Sequence, residues 1–352
     1  MTAFGAYPNA ARAEESRTGF RPEALDKVTA DLKAGAFPNT HAVLVEQDGR
    51  LVYEQYFAGR DERWGHPLGE RTFNRDSLHD LRSVSKSVTS ALVGIALGAD
   101  FEKSLGKPIG SFFPQLKLRP ELDAVTLRHV LTMTAGLEWN EMTVPYTDPK
   151  NDELQMATVD DPVKMVLSRP LSHKPGTQWY YSGGLAQVLG GLVRQITGKA
   201  PDAYAKEVLF GPLGITQFEW LGEPKWNPKM PAAASGLRMR APDVARFGSV
   251  YLNRGQWQGR QIVPAGWVEQ STRRQVQDIG AWHGREGWGY GYQWWIGRPA
   301  GYDVAAAVGN GNQRIFIVAK ERLVITILAG EYNKFEGHSE RLFGALMAAR
   351  DA

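Results

Sequence analysis

The sequence predicts an α+β protein in which one antiparallel sheet is built from both ends of the chain, with a mainly helical lobe inserted between them. Runs rich in β-branched and aromatic residues occur near both ends, whereas the segment from about residue 100 to 240 has helical periodicity broken by Pro and Gly. The chain has 352 residues, of which 43% are hydrophobic, enough for a substantial core and two lobes. We therefore predict a discontinuous sheet domain at residues 1–99 and 241–352 and a helical domain at residues 100–240.

The N-terminal elements are predicted from apolar spacing. Arg21–Ala34 has the pattern of an amphipathic helix. His41–Gln47 and Leu51–Phe57 alternate as strands and are joined by Asp48-Gly49-Arg50, which indicates a hairpin. Ser83–Leu97 has apolar residues at helical spacing, so it is predicted as a helix with Ser83 near its N-terminus.

The remaining elements follow the same rules, with helices where the apolar period is 3.6 and strands where aromatic and β-branched residues cluster. The predicted helices are Leu127–Met133, Gly184–Thr197, Pro242–Leu252 and His338–Ala349. The predicted strands are Trp288–Ile296, Gln313–Val318 and Leu323–Leu328, with Lys320-Glu321-Arg322 as the turn between the last two.

Composition excludes several classes of protein. The formal net charge is only +3, and Lys and Arg are scattered, so we expect no nucleic-acid partner. We find no run of 18 apolar residues and no signal-peptide core in Met1–Gly5, so we expect no membrane segment and a cytoplasmic location, or a periplasmic one if a leader precedes this sequence. The absence of cysteine excludes disulfides, thiolate metal sites and a cysteine nucleophile.

The common cofactor and hydrolase motifs are also missing. The seven histidines form no His-Glu-x-x-His pattern, and no P-loop or dinucleotide-binding glycine pattern is complete. No Gly-x-Ser-x-Gly elbow occurs, which disfavours an α/β-hydrolase. We therefore expect an enzyme that uses neither a metal nor an organic cofactor.

Ser83 and Lys86 are the pair that carries chemistry. On a helix, residues three apart lie on one face, so the serine hydroxyl and the lysine amine can come within hydrogen-bond distance. Partial desolvation lowers the pKa of a lysine, which can then take the serine proton, and the helix N-terminus favours negative charge on a bound acyl group. The pair predicts a serine hydrolase. The alternative interpretations are that Ser83 caps the helix and that Lys86 is a solvated surface residue.

Three segments after the Ser83–Lys86 pair resemble signature elements of one enzyme family. The family is that of the penicillin-recognising serine hydrolases related to class C β-lactamases, and the segments, in the order of the family's elements, are Thr126–Leu137, Pro175–Gly184 and Ala307–Gln313. The resemblance covers roughly Ala42 to Gly330 and implies a three-layer α/β/α fold with helices on both faces of the sheet and the active site between the two domains.

Two departures within this family narrow the function. Where the lactamases carry Tyr-x-Asn and Lys-Thr-Gly, this chain has Gly183 and Ala307 in place of the asparagine and the lysine. Those two side chains hold the amide and the carboxylate of a lactam substrate, so we expect no efficient lactam hydrolysis. The serine run Ser83–Ser87, the Tyr181 region, Leu137–Glu141 and the terminal Gly-x-x-x-Gln element more closely resemble the 6-aminohexanoate-dimer hydrolase branch, which shares its fold with the family VIII carboxylesterases. We expect an acyl-enzyme mechanism on a small-molecule ester or linear amide. The alternatives are a β-lactamase or D-alanyl peptidase, and a catalytically silent recognition module. The oligomeric state is not predicted.

The resemblance also implies residue roles. Ser83 is the nucleophile, Lys86 its base and Tyr181 a second base that returns the proton to the leaving group. The backbone N–H groups of Ser83 and Asn310 form the oxyanion hole. Weaker candidates for substrate contacts are Trp139, Tyr146, Gly309, Gly311, Trp288 and Trp294.

Two other Tyr-x-Asn matches are assigned to structure. Tyr7-Pro8-Asn9 lies far before the nucleophile. Tyr251-Leu252-Asn253 is predicted at the C-terminal end of a helix, where Asn253 is a natural cap.

Overall fold

The computed structural model describes residues 19–280, 286–334 and 337–351. Its strands are β1 (Thr40–Gln47), β2 (Arg50–Tyr56), β3 (Ala58–Arg63), β4 (His66–Thr72), β5 (Leu78–Asp80), β6 (Phe218–Trp220), β7 (Leu237–Arg240), β8 (Gln256–Trp257), β9 (Arg260–Gln261), β10 (Gly289–Tyr290), β11 (Trp295–Gly297), β12 (Val304–Gly309), β13 (Gln313–Val318) and β14 (Leu323–Ala329). Its α-helices are α1 (Pro22–Lys33), α2 (Val84–Leu97), α3 (Phe101–Leu105), α4 (Leu127–Leu131), α5 (Asp152–Ala157), α6 (Pro162–Leu167), α7 (Gly183–Thr197), α8 (Pro201–Ala205), α9 (Ala241–Leu252), α10 (Ala265–Ser271) and α11 (His338–Ala348).

The main sheet joins the two ends of the chain, as predicted. Its seven antiparallel strands lie in the order β10-β11-β12-β13-β14-β1-β2. Strand β1 pairs with β2 through the predicted hairpin and with β14 on its other side, where Val43 lies opposite Ile327. Strands β1 and β14 are buried along almost their whole length, because helices cover both faces of the sheet.

Neighbouring residues of β13 show the layers. Phe316 packs against Phe343 of α11 with ring centroids 4.7 Å apart. The side chain of Ile315 points to the opposite face. There a Cβ on Gly248 of α9 would lie 2.8 Å from Ile315, so the helix backbone approaches the sheet closely. With α1 packed on α11, the structure confirms the predicted α/β/α arrangement.

The segment between residues 100 and 240 is mainly helical, with α7 packed against α2, α4 and α6. It also contributes β6 and β7, which form a separate three-stranded sheet with β5 in the order β5-β7-β6. This small sheet connects the helical segment to the chain just before Ser83, since Asp80 at the end of β5 pairs with Arg238 of β7. The domain boundaries at 99/100 and 240/241 stay predictions.

One predicted strand is wrong. Trp288–Ile296 is a hairpin of two short strands, β10 and β11. The chain turns at Gln293, whose φ is +65°, and the Gly291 N–H donates to the Trp294 carbonyl oxygen at 2.8 Å. The residues in the turn bond elsewhere: Tyr292 N–H donates to Ser271 O. Periodicity alone did not reveal the turn, because the whole stretch is apolar and aromatic.

One stretch of the described residues reaches the length and mean hydropathy of a membrane span, although charged residues interrupt it and it is not a run of apolar residues. Val84–Leu105 meets that criterion by length and composition over 22 residues. In the structure this stretch comprises α2 and α3 with a break at Gly98, and 67% of its apolar window is buried inside the protein.

Candidate active site

Ser83 lies in a tight turn directly before α2. Arg82 has a φ of +47°, which is rare for a residue with a side chain. The Val84 N–H donates to Leu81 O at 3.1 Å, and the Ser85 hydroxyl donates to Arg82 O at 2.6 Å. Ser83 is the N-cap residue of α2, but its side chain makes no capping hydrogen bond to the helix, so the alternative role of satisfying the free amides at the helix start is not seen. Its hydroxyl is engaged by Lys86.

Lys86 is buried, with 2% of its surface exposed, and is not the solvated lysine of the alternative interpretation. Its Nζ donates to Ser83 Oγ at 2.9 Å and to the carbonyl oxygen of Ala234 at 3.0 Å. Burial lowers the pKa of Lys86, because a desolvated ammonium is disfavoured, while Glu153 and Glu141 oppose that shift. A neutral amine beside a serine hydroxyl is the arrangement that a proton-accepting lysine needs.

The third predicted residue, Tyr181, lies beside this pair. The centroid of its ring is 4.8 Å from Lys86 Nζ, and the side chain is buried. Trp295 packs against the ring with centroids 5.9 Å apart. The next residue, Ser182, begins α7 by accepting a hydrogen bond from the Leu185 N–H, which fixes the position of Tyr181 at the end of the preceding segment.

The predicted oxyanion residue Asn310 follows the last residue of β12. Of the predicted Gly309-Asn310-Gly311 strand only Gly309 is in the strand, because the chain turns at Asn310. A Cβ on Gly309 would lie 2.3 Å from Leu81 O, so this strand end touches the turn that holds Ser83. The Asn310 amide is fixed by Asn333, with bonds of 2.8 Å and 2.6 Å.

The backbone donors at this junction are available. Among the residues that the structure describes, no hydrogen bond engages the N–H of Ser83 or that of Asn310. Gly311 has a φ of +90°, and a Cβ there would lie 2.6 Å from the Tyr332 ring, so glycine is required for the turn. Gly309 and Gly311 therefore shape the backbone around Asn310.

The aromatic candidates for substrate contacts have other neighbours. Trp139 is buried against Gly184, and its Nε1–H donates to Glu141 Oε2 at 2.7 Å. Tyr146 donates to Glu141 Oε1 at 2.6 Å. Trp288 and Trp294 lie in the core, the latter packed on Tyr251 with ring centroids 4.5 Å apart, so these two are not pocket walls.

The two dismissed Tyr-x-Asn matches have different outcomes. Tyr7-Pro8-Asn9 lies outside the described residues. Tyr251 is buried in the core, and Asn253 follows α9 and donates to Ser249 O at 2.9 Å, as predicted for a helix end.

Sequence reasoning missed three contributors to the site: Glu141, Glu153 and Ala234. Ala234 supplies a carbonyl oxygen, which any residue type carries. The glutamates are far from Ser83 along the chain and form no pattern with it, so only the fold brings them to Lys86.

The fold and the serine–lysine pair together define a protein of the serine-reactive β-lactamase type. The chain belongs to the Beta-lactamase family, whose family model matches residues 26–346. The resemblance expected from the motifs is confirmed.

Several relatives show the range of the family. Esterase EstB of Burkholderia gladioli is 30% identical over 183 residues, 49% of this chain and 44% of EstB. The 6-aminohexanoate-dimer hydrolase of Paenarthrobacter ureafaciens is 26% identical over 308 residues, 82% of this chain and 72% of that enzyme. A family VIII carboxylesterase of known structure shares the fold, with a TM-score of 0.71 and 17% identity over 94% of this chain and 98% of its own. The match to EstB spans less than half of that relative.

Proposed function

We propose that this protein is a serine hydrolase that cleaves small esters or linear amides through an acyl-enzyme. The observation that carries the proposal is the 2.9 Å hydrogen bond between Ser83 Oγ and the Nζ of a buried Lys86. Burial lowers the pKa of Lys86, which favours the neutral amine that can accept the serine proton.

In the first step neutral Lys86 takes the hydroxyl proton while Ser83 Oγ bonds to the substrate carbonyl carbon. The carbonyl oxygen of the substrate becomes negative and accepts hydrogen bonds from the backbone N–H groups of Ser83 and Asn310. Lys86 and Tyr181 then pass the proton to the leaving alkoxide or amine as its bond to carbon breaks. Water, deprotonated by the same groups, attacks the acyl-enzyme, releases the carboxylic acid and restores the Ser83 hydroxyl.

Two positions favour esters and linear amides over lactams. Ala307 is fully buried and offers no cation for a substrate carboxylate. Gly183 has no amide side chain, and the space beside it is taken by the carboxyl groups of Glu141 and Glu153. The relatives named as an esterase and a dimer hydrolase agree with this preference.

The decisive experiment is covalent labelling. A fluorophosphonate probe is expected to add one phosphonyl group to the intact protein, and peptide mapping is expected to place it on Ser83. Ser83→Ala should remain unlabelled, whereas Ser87→Ala, on the same helix and bonded to Gln293 O, should be labelled normally. A folded wild type without an adduct would instead favour a silent recognition module.

Substrate class is tested separately. We expect turnover of a p-nitrophenyl ester or a linear aminohexanoate dimer, and at least about 100-fold weaker turnover of a chromogenic cephalosporin, because one charged and one neutral hydrogen bond to the substrate, together worth about 3 kcal/mol, are missing. Efficient cephalosporin hydrolysis would assign the chain to the lactamases of its family.

A further inference from the structure

Two glutamates of the helical lobe converge on Gly183, the position at which related lactamases carry an asparagine. A Cβ on Gly183 would lie 3.1 Å from Glu141 Oε2 and 3.2 Å from Glu153 Cδ. Any side chain at this position would therefore compete with both carboxyl groups for the same space. The absence of an asparagine side chain at Gly183 leaves no cavity there, because the carboxyl groups of Glu141 and Glu153 occupy the space.

Glu141 is held firmly in this place. It is 1% exposed and accepts three hydrogen bonds, from Trp139 Nε1 at 2.7 Å, from the Tyr146 hydroxyl at 2.6 Å and from the Gly183 N–H at 2.5 Å. The Gly183 N–H belongs to the first turn of α7, where the helix dipole also favours an anion. Three donors satisfy both oxygens of a carboxylate.

Glu153, at the start of α5, completes the pair. Its carboxyl group lies beside that of Glu141, since Glu153 Oε2 would be 3.3 Å and Glu141 Oε2 3.1 Å from the same Cβ position on Gly183. Two carboxylates that share a site disfavour each other's charge, so the pKa of one of them is raised. Burial and the neighbouring charge of Glu141 raise the pKa of Glu153 to about 8, so Glu153 is the protonated partner at neutral pH.

This pair acts on Lys86. The two hydrogen-bond acceptors of Lys86, Ser83 Oγ and Ala234 O, carry no formal charge, and the charges that favour its ammonium form are those of Glu153 and Glu141.

The other titratable groups that face the cluster are tyrosines. Tyr146 interacts with both glutamates and with Tyr181, and Tyr290 interacts with Tyr181 and Glu141. Burial, with these charges, raises the pKa of Tyr146 and of Tyr290 well above the ordinary value, so both remain neutral. Of Glu153, Tyr146 and Tyr290, the group whose charge changes near neutral pH is therefore Glu153.

We propose that Glu153 is a positioning residue that, with Glu141, sets the protonation of Lys86. While Glu153 holds its proton, Lys86 is free to be the neutral base. When Glu153 ionises, its carboxylate stabilises the Lys86 ammonium and delays the appearance of that base to higher pH. The inference rests on the proposed function, because it describes how the same serine–lysine pair is tuned.

The test is the pH profile of kcat/KM on a small neutral p-nitrophenyl ester. Glu153→Gln keeps the shape of the side chain but never ionises. Its rising limb is expected at lower pH than that of the wild type, by about one unit, the lower end of the effect of a nearby opposite charge. On that limb the variant would be up to about 10-fold more active. Glu153→Asp retains an ionisable carboxyl, so the rising limb of its profile should lie at higher pH than that of Glu153→Gln.

Glu138→Gln is the matched control, since Glu138 is exposed on the segment that carries Glu141 and should leave the profile unchanged. A Glu153→Gln limb that coincides with that of the wild type, or lies at higher pH, would overturn the inference. If Glu153→Gln does not fold, infrared spectra of the wild type supply the readout. A protonated-carboxyl band that disappears as pH rises through about 8, and that shifts in Glu153→Asp, is expected, and its absence contradicts the inference. Failure of the proposed function is distinct: the wild type would neither label at Ser83 nor hydrolyse the ester at any pH.

Discussion

Gly309 lies so close to Leu81 that a Cβ on the glycine would stand 2.3 Å from the leucine carbonyl oxygen. This contact joins the end of β12, directly before Asn310, to the turn that carries Ser83. Because the obstructing atom belongs to the backbone, a side chain at residue 309 must move the strand end or the turn.

Gly309→Ala should therefore separate the two backbone donors. We expect a loss of about 1–3 kcal/mol in the free energy of unfolding from overpacking. A shift of about 1 Å in the oxyanion hole should lower kcat/KM by about 100-fold. Gly106→Ala, where a Cβ would meet nothing within 4 Å, is the matched control. Wild-type activity in Gly309→Ala would show that this contact does not position the site.

Lys86→Met separates the catalytic from the structural effect of the buried amine. We expect kcat/KM to fall by about 10²- to 10⁴-fold, the range for a lost proton-transfer group. The free energy of unfolding at pH 7 should rise, because burial lowers the pKa of Lys86 and the unfolded chain then binds more protons than the folded one. The gain should shrink as pH approaches 10. Lys103→Met, at an 81% exposed side chain, should change neither quantity. Denaturant unfolding at both pH values and ester kinetics provide the measurements.

Tyr181→Phe retains the packed ring and removes the hydroxyl. If Tyr181 carries a proton to the leaving group, kcat should fall by about 10²- to 10⁴-fold, with little change in melting temperature. Tyr180→Phe is the adjacent control, since Tyr180 is half-buried and its ring is not the one beside Lys86. Equal activity of the two variants would remove Tyr181 from the mechanism. Steady-state kinetics on esters with leaving groups of different basicity would separate the steps.

Arg82 holds the turn before Ser83 through charge. Its guanidinium pairs with Glu62 at 2.6 Å and with Asp80 at 3.3 Å and lies 4.7 Å from the Tyr332 ring centroid. The Asp80 side chain is fully buried, so Arg82→Ala leaves a buried charge without this partner and should destabilise the protein by about 3 kcal/mol. Labelling of Ser83 by a fluorophosphonate should slow. Arg63→Ala removes an exposed pair with Glu219 and should change stability by less than about 1 kcal/mol. Comparable losses in the two variants would contradict this role.

Glu153 should make stability depend on pH. Its folded pKa is raised to about 8 from an ordinary 4.5, so the contribution to stability is fully present below about pH 4.5 and is lost as pH rises through about 8. The melting temperature of the wild type should therefore fall between pH 5 and 9 more than that of Glu153→Gln. Lys86 contributes with the opposite sign, so the comparison is best made in the Lys86→Met background. If the melting temperature changed equally with pH in Lys86→Met and in the double variant that adds Glu153→Gln, Glu153 would not be the titrating group.

Local patterns accounted for much of the fold. The spacing of apolar residues predicted α2 and α7 within a residue or two, and the Asp48-Gly49 turn predicted the β1–β2 hairpin. These elements obey near-neighbour rules, because turn residues and apolar periods act over a few positions. The error at β10 and β11 arose where every residue is apolar or aromatic, and where a turn bonded to distant segments overrides the pattern.

What the sequence by itself determined is the Ser83–Lys86 pair, since helix geometry places residues three apart on one face wherever the helix lies. Tertiary structure alone decided what surrounds the pair: the Ala234 carbonyl on Lys86, the Gly309–Leu81 contact, and the two glutamates beside Gly183. These groups are separated by tens to hundreds of positions, and their proximity follows from the packing of α2 between the helical lobe and the sheet. The proton affinity of Lys86 depends on that burial and those charges, so no local pattern could supply it.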